Sequence, residues 1–469
     1  MKSGTCRLLQ RSALAVAIAG ISAPASAAFF ALAEQSGSGM GTAFAGGAAV
    51  AEDASTVWYN PAGMTRFTRP QLVVAGHYID PSFTPSVISA SSVAVPPAGL
   101  PSFPINGGAG KDPGQAAFVP NLYYTHPITK EFSVGAAINV PFGLTTEYDS
   151  TWAGRYHATK SDLSSINYNV SGAYKFSDVL SGGVGVNYQT FKAELSQAID
   201  FATLCSITPP IGAACGAGAG FLPGSNDGSA KVTADSNAWG YNLGLLVQLP
   251  NDFRMGVAYR SKMKHSLKGD FDATVPTPAG AAGTATASVA AARGIVDSGA
   301  SADITLPASI SVSFYQQAGQ WAFMADITKT NWSELPELRI KFDSTQADSV
   351  VTLNLQNSYR YSLGATYQLN EAWILRGGVA LDQSPVTNSA DRTPRLPDAD
   401  RTWVAIGAGW KASSSLNFDF GYASITMDNA QVRKTASAIP PNENVSRGNL
   451  SVDYTGKIQV LSAQARWTF

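Results

Sequence analysis

The sequence predicts an all-β fold: a 14-stranded antiparallel transmembrane β-barrel with an N-terminal hatch in its lumen. Three observations predict it. Charged residues are only 14% of the chain, against roughly 25% in ordinary soluble domains, yet beyond the amino terminus no apolar run is long enough for a spanning helix. Long segments alternate apolar and polar residues at every step. Long and short connections also alternate along the chain. A membrane chain without spanning helices must close its backbone hydrogen bonds between strands, because hydrocarbon offers none.

The amino terminus carries Lys2, Arg7 and Arg11, then an apolar stretch from Ala13 to Ile21, then Ala25-Ser26-Ala27. These are the three parts of an export signal, and the apolar part is shorter than the ~20 residues a spanning helix needs. Residues 1–27 are assigned to that signal. Residues 28–69 do not alternate. They open with small residues from Ser36 to Gly47 and continue through Ala51 to Met64. A compact, polar segment ahead of a wide barrel predicts a plug, which argues against a general aqueous porin. The barrel is assigned to residues 70–469.

Period two is clearest from Tyr359 to Leu369, where Tyr359, Tyr361, Leu363, Ala365, Tyr367 and Leu369 face one way and Arg360, Ser362, Gly364, Thr366 and Gln368 the other. Residues 239–249, 253–260 and 416–423 repeat the pattern, and the chain closes on Leu461, Ala463, Ala465, Trp467 and Phe469. Strands are placed near 70–80, 115–126, 131–142, 163–176, 182–196, 230–249, 253–270, 301–316, 320–342, 350–368, 372–382, 401–411, 416–429 and 452–469. That number is even, as bacterial barrels require. Long connections fall near 81–114, 143–162, 197–229, 271–300, 383–400 and 430–451, with a shorter one at 343–349. Tight turns lie between them, as at Leu249-Pro250-Asn251-Asp252 and Asn370-Glu371. Outer-membrane barrels alternate short periplasmic turns with long outer loops, so the cell outer membrane is the expected location.

Other chemistry finds little support. A formal net charge of −1 gives no general electrostatic case for nucleic acid. His77, His126, His157 and His265 have no paired ligand spacing and are assigned to loops or the membrane interface, so no metal or cofactor is expected. No Gly-x-Ser-x-Gly elbow marks a lipid hydrolase, and no enzyme is expected. Cys205 and Cys215 lie ten apart in a Gly/Ala/Pro-rich segment, where an oxidising exterior permits a disulfide. Bonded and free thiols stand as alternatives. Arg254, Arg260, Arg360 and Arg466 fall on the inward face, where salt bridges to the plug are expected.

The small-residue opening Ser36 to Gly47, Asn60-Pro61-Ala62, Trp152-Ala153-Gly154-Arg155-Tyr156, Thr330-Asn331-Trp332-Ser333 and Pro397-Asp398-Ala399-Asp400-Arg401-Thr402-Trp403 resemble one family throughout the mature chain. It is the FadL/TodX outer-membrane transporters of long-chain fatty acids and hydrophobic hydrocarbons. The resemblance implies a 14-stranded barrel closed by its hatch, capture of ligand in an apolar outer groove, passage to an inner pocket, and sideways exit at a kinked third strand. Here the third strand reaches Asn139-Val140-Pro141-Phe142-Gly143, and Pro141, without an N–H, cannot complete a ladder. Pro141 and Gly143 mark either that kink or the strand's end. Asn60, Pro61 and Ala62 are read as a gate element.

Arg155, in its Trp-Ala-Gly-Arg-Tyr setting, is the candidate for meeting a carboxylate. The alternative is an arginine paired with an acidic residue of the barrel or hatch. Phe201, Leu204 and Phe221 are candidates for the outer groove, against plain packing of loops on one another. The expected partners are a long-chain fatty acid, or a monoaromatic hydrocarbon by the same route, and the surrounding outer-membrane lipid and lipopolysaccharide. The chain is expected to act as a monomer.

Overall fold

The computed structural model describes residues 29–95, 101–208, 211, 221–439 and 441–469; the export signal assigned to residues 1–27 lies outside the described residues. Among them fourteen antiparallel strands close into one barrel. They are β1 (Gln71–Ser91), β2 (Ala117–Pro127), β3 (Phe132–Asn139 and Gly143–Glu147), β4 (Lys160–Lys175), β5 (Leu180–Asp200), β6 (Asp227–Gln248) and β7 (Phe253–Arg260 and Met263–Thr274). The second half holds β8 (Ser298–Leu306 and Ser309–Ala318), β9 (Trp321–Thr330 and Glu337–Phe342), β10 (Ser349–Thr352 and Ser358–Gln368), β11 (Trp373–Asp382), β12 (Arg401–Lys411), β13 (Leu416–Lys434) and β14 (Asn449–Thr468). Each pairs with the next, and β14 returns to β1 from Gln71↔Thr468 upward. The strand number and the order of long and short connections agree with the sequence.

Alternation sorts the residues by side. Leu243, Leu245 and Leu363 are exposed on the outer surface, while Asn242 and Ser362 are buried inside. Outward aromatics form two belts: Trp321 stacks near Tyr367 and Trp373 near Trp410 beside the tight turns, while Tyr188 meets Trp239 and Tyr241 meets Tyr259 higher up. Such belts sit at the two interfaces of a membrane.

The sequence expected a kink or an end at Pro141 and unbroken strands elsewhere, but among the described residues β7, β8, β9 and β10 are interrupted as well as β3. Pro141, Pro307 and Pro336 sit at three of the breaks and lack the N–H a ladder needs. The break in β3 falls within the strand, which resumes at Gly143. In β9 the interruption is a bulge: between the pairs Ser309↔Thr330 and Ala302↔Ile340, β8 moves seven residues and β9 ten. The surplus turns Trp332 inward, where it is buried. His77 and His265 also point inward, from β1 and β7, and not into loops or the interface: His77 Nδ1 lies 2.6 Å from Ser462 Oγ and His265 Nε2 3.0 Å from Gln189 Oε1.

Residues 29–69 lie within the barrel. They form single helical turns at Gly37–Met40, Gly47–Val50 and Thr56–Tyr59 and a 3₁₀ helix at Pro61–Arg66. Turns this short leave most of their carbonyls without a helical partner. Wall arginines supply the donors. Arg254 donates to the Val50 carbonyl at 2.5 Å, Arg260 to Trp58 at 2.7 Å, Arg360 to Ala43 at 2.9 Å and Arg466 to Glu52 at 2.9 Å. The sequence expected salt bridges from these four, but the segment holds only three carboxylates, Glu34, Glu52 and Asp53. Arg376 makes the ionic contact instead, to Glu52 at 2.6 Å. Wall glycines bring the backbones together: a Cβ at Gly256 would overlap the Ala48 carbonyl, and one at Gly378 the Thr42 backbone.

The leading residues of this segment cover the break in β3. Leu32 N donates to the Pro141 carbonyl at 2.8 Å, and Gly143 N donates to the Phe30 carbonyl at 3.0 Å. Gln35 donates to the Val140 carbonyl at 3.0 Å. Between these contacts Glu34 is fully buried, and neither of its carboxylate oxygens has a hydrogen-bond partner. Burial, outweighing the nearby charges of Arg360 and Arg401, pushes its pKa up to about 7.

Two outcomes are expected. Gly256→Val leaves strand content by circular dichroism unchanged, but exposes the N-terminal segment to limited proteolysis, since the added side chain displaces Ala48. The Glu34 carboxyl binds more protons in the seated segment than in a released one between its ordinary 4.5 and about 7, so seating weakens as pH rises through that window. Hydrogen exchange at Leu32 and Gly143, corrected for intrinsic rate, loses protection between pH 5 and pH 8 on this reading; in Glu34→Gln the protection is flat, and a flat wild-type profile refutes it.

Candidate ligand-binding site

Cavities follow one another down the lumen. The outermost, about 780 Å³, lies among the outer loops and is bordered by Tyr156, Leu204, Arg293, Arg395 and Arg447. Beneath it is a smaller space of about 80 Å³ whose lining is mostly apolar, Leu163, Leu195, Val232, Leu267, Ile304 and Leu338 among it. Leu195, Val232, Leu338, Ile340, Val351 and Arg395 border both, so the two adjoin.

The floor of the apolar cavity is aromatic. Phe29 and Phe30, at the start of the N-terminal segment, each lie 5.0 Å from Trp332, ring centre to ring centre, and Phe142 completes the cluster 5.8 Å from Phe30. Below it a cavity of about 190 Å³ is bordered by Ala31, Leu32, Pro141, Phe142 and Trp332. The aromatic cluster therefore separates the apolar cavity from the space at the β3 break. Two unrelated local events build it: the β9 bulge that inverts Trp332, and the Pro141 break that admits the leading residues.

Arg395 sits at the junction of the outer and apolar cavities, in the loop between β11 and β12, and is 8% exposed. Its guanidinium donates to the Lys160 and Ser196 carbonyls at 3.2 Å, Ser161 Oγ at 3.3 Å and Gln197 Oε1 at 2.8 Å. All are neutral. Burial, with Arg447 nearby, holds its pKa below the ordinary value, as expected of a cation lacking a counter-charge.

The residues singled out from sequence are placed as follows. Arg155 Nε meets Asp227 Oδ2 at 2.6 Å, and its remaining donors go to the Asn106 and Trp152 carbonyls and the Tyr156 hydroxyl. It ties three outer loops together and borders none of the cavities described above. Phe201 and Phe221 are buried in a cluster with Val289 and Ile295, packed against the helix Ala281–Arg293, while Leu204 also borders the outer cavity. Cys205 is held in a disulfide; Cys215 lies outside the described residues. Asn60 caps the 3₁₀ helix Pro61–Arg66, its Oδ1 accepting from Ala62 N at 3.1 Å. Its amide donates to the Ala48 carbonyl at 2.7 Å and to the Leu245 carbonyl of β6 at 2.9 Å. Pro141 and Gly143 both contact the leading residues of the N-terminal segment.

Sequence reasoning missed Arg395 and the inward turn of Trp332. Thr393-Pro394-Arg395-Leu396-Pro397, an arginine between two prolines in an outer loop, was the available signal for the first. Pro394 fixes its own φ and Pro397 restricts Leu396, so the backbone on both sides of Arg395 is held.

Comparison with known proteins agrees with this architecture. The family model described as "Outer membrane protein transport protein (OMPP1/FadL/TodX)" matches residues 18–469. The chain is 34% identical to outer membrane protein P1 of Haemophilus influenzae, over 88% of this chain and 89% of that one. It is 32% identical to the long-chain fatty acid transport protein of Escherichia coli K12, over 88% and 91% respectively. Among solved structures it superposes on a Pseudomonas aeruginosa FadL homologue with TM-score 0.81 at 24% identity, covering 94% of this chain and all of that one. The Ralstonia pickettii toluene transporter TbuX shares the fold with TM-score 0.61 at 17% identity, over 92% and 98%. The chain is thus an outer-membrane β-barrel that belongs to the OMPP1/FadL/TodX transport family.

Proposed function

We propose that this barrel carries long-chain fatty acids inward across the outer membrane by passive diffusion. The observation that carries this reading is Arg395, a buried guanidinium without a carboxylate partner at the mouth of an apolar cavity. A fatty acid matches the chemistry of both features, its carboxylate meeting the arginine and its chain entering the apolar space. At about 80 Å³ that space must widen by movement of the leading residues to take the whole chain. The E. coli K12 relative is named for long-chain fatty acid transport. No energy source is needed when cargo moves down its gradient, and no step calls for catalysis.

The N-terminal segment acts as the hatch. Phe29 and Phe30, with Phe142 and Trp332, hold the floor of the apolar cavity until the leading residues move. Beyond them, incomplete pairing between β2 and β3 supports a sideways exit. β2 pairs with β1 as far as Ala117, but its ladder with β3 stops at Leu122↔Ile138. Residues 30–32 cover the β3 break beside this stretch. Their displacement would join the lumen to the membrane at Pro141, and Asn60-Pro61-Ala62 would anchor the rest of the hatch to β6 meanwhile. The barrel works as a single copy surrounded by lipid and lipopolysaccharide.

A monoaromatic hydrocarbon is the second reading, favoured by the nearly unbroken apolar lining of the small cavity. Arg395 separates the two. A charged hydrogen bond contributes about 1.5–3 kcal/mol, so Arg395→Gln is expected to weaken oleate binding by roughly 10- to 150-fold and to leave toluene uptake unchanged. Arg395→Lys retains part of the affinity and controls for loss of loop contacts. Titration of purified protein and labelled uptake in a deletion strain check this. Unchanged oleate binding in a correctly folded Arg395→Gln removes the carboxylate role. If Arg155→Ala weakens it instead, that role moves to Arg155.

A further inference from the structure

Below the N-terminal segment, at the tight-turn end of the barrel, lies a polar cavity of about 420 Å³. It shares Glu52, Gln320, Gln368, Ile374 and Arg376 with a cavity of about 660 Å³ that reaches the turn residues Asn370, Glu371 and Ala372. Tight turns face the periplasm in this architecture, so the space is approached from the periplasm and not from outside the cell.

Two arginines border it; the Asp252 carboxylate acts on both from a distance, and no carboxylate is hydrogen-bonded to either among the described residues. Arg254 is 6% exposed; it donates to the Val50 carbonyl and lies over the Tyr315 ring at 3.6 Å, while its Nε is buried with no hydrogen-bond partner. Arg66 donates to Gln248 Oε1, and its Nε is likewise buried and unpartnered. Among the described residues, the partners of both are neutral. The carboxylates bordering the same space are already engaged. Glu52 is held by Arg376 at 2.6 Å. Asp53 accepts from Ser38 Oγ at 2.7 Å, Ser55 N at 2.9 Å and Gln464 Nε2 at 2.8 Å.

We infer that this periplasmic cavity is a binding site for a small oxoanion, carboxylate or phosphate, held by Arg66 and Arg254. Water accepts a hydrogen bond but adds no negative charge beside a buried Arg254 and a half-buried Arg66 that face one space. An oxoanion accepts from guanidinium N–H groups that border the space and adds that charge at the same time. Burial holds the Arg66 pKa below its ordinary value and outweighs the opposing charge of Asp252. The arrangement lies on the far side of the N-terminal segment from Arg395, so it is a separate site. The anion is either a free periplasmic solute or the head of cargo that has passed the segment.

The test uses the full mature barrel in detergent, with inorganic phosphate as the probe against chloride at matched ionic strength. Phosphate is expected to raise the thermal midpoint of the wild type and to broaden its ³¹P resonance. Arg66→Gln and Arg254→Gln weaken the apparent affinity at least about tenfold, while Arg254→Lys keeps part of it and Arg395→Gln leaves it intact. A wild type indifferent to phosphate overturns the site, as do both glutamine variants responding like the wild type. Competition assigns the source: oleate displacing phosphate from the Arg395→Gln protein identifies a cargo head, and displacement by acetate alone identifies a free anion.

Discussion

The structure depends on one constraint: peptide groups enclosed within the barrel must find partners there. The wall solves this for itself by pairing every strand with its neighbours. The enclosed segment cannot, because its helices are single turns. Arginines on β7, β10 and β14 reach inward to carbonyls that a longer helix would have used, and Asn60 returns a bond to the β6 backbone. The chemistry of the inner wall is thus set by the segment it surrounds. Glycines at the same level serve the same end by letting two backbones approach without side chains between them.

The constraint also explains where openings can occur. A strand break frees N–H and C=O groups, and these must be met by something other than the neighbouring strand. At β3 the groups are met by Phe30 and Leu32, and around them Asn139 donates to Gln35 while Asn167 links Asn139 to Asn187. At β9 the bulge is closed by its own turn and by the β10 side, with Leu353 and Asn354 donating to the Pro336 carbonyl. One break is therefore covered by the N-terminal segment and the other by the wall itself.

The fold was legible because side-chain direction alternates residue by residue, and Tyr359 to Leu369 shows that without exception. Loop order added the location. The interruptions were harder to read. Pro141 could be flagged from chemistry alone, and Pro336 likewise marks an interruption in β9, but Asn331 to Leu335 do not forbid a regular ladder and carry no sign that Trp332 turns inward. Inward arginines were found by register, but their acceptors are backbone carbonyls, which leave no mark in a sequence. Arg155 drew attention by its motif, yet Asp227, 72 positions away, follows no period that would have named it. Apolar composition around Phe201 and Phe221 reads the same whether the side chains face a ligand or each other.

The seam between β1 and β14 has a consequence for biogenesis. Gln71 pairs with Thr468, and Gly37 N donates to Gln464 Oε1 across 427 positions of chain. No continuous wall exists until the last strand has been made and docked against the first. The leading segment bonds to that last strand as well, at Gln464 and Arg466, so closing the wall and seating the segment share the same strand. Contacts of such span are slow to form, so the step that completes the vessel is also the one that commits its contents.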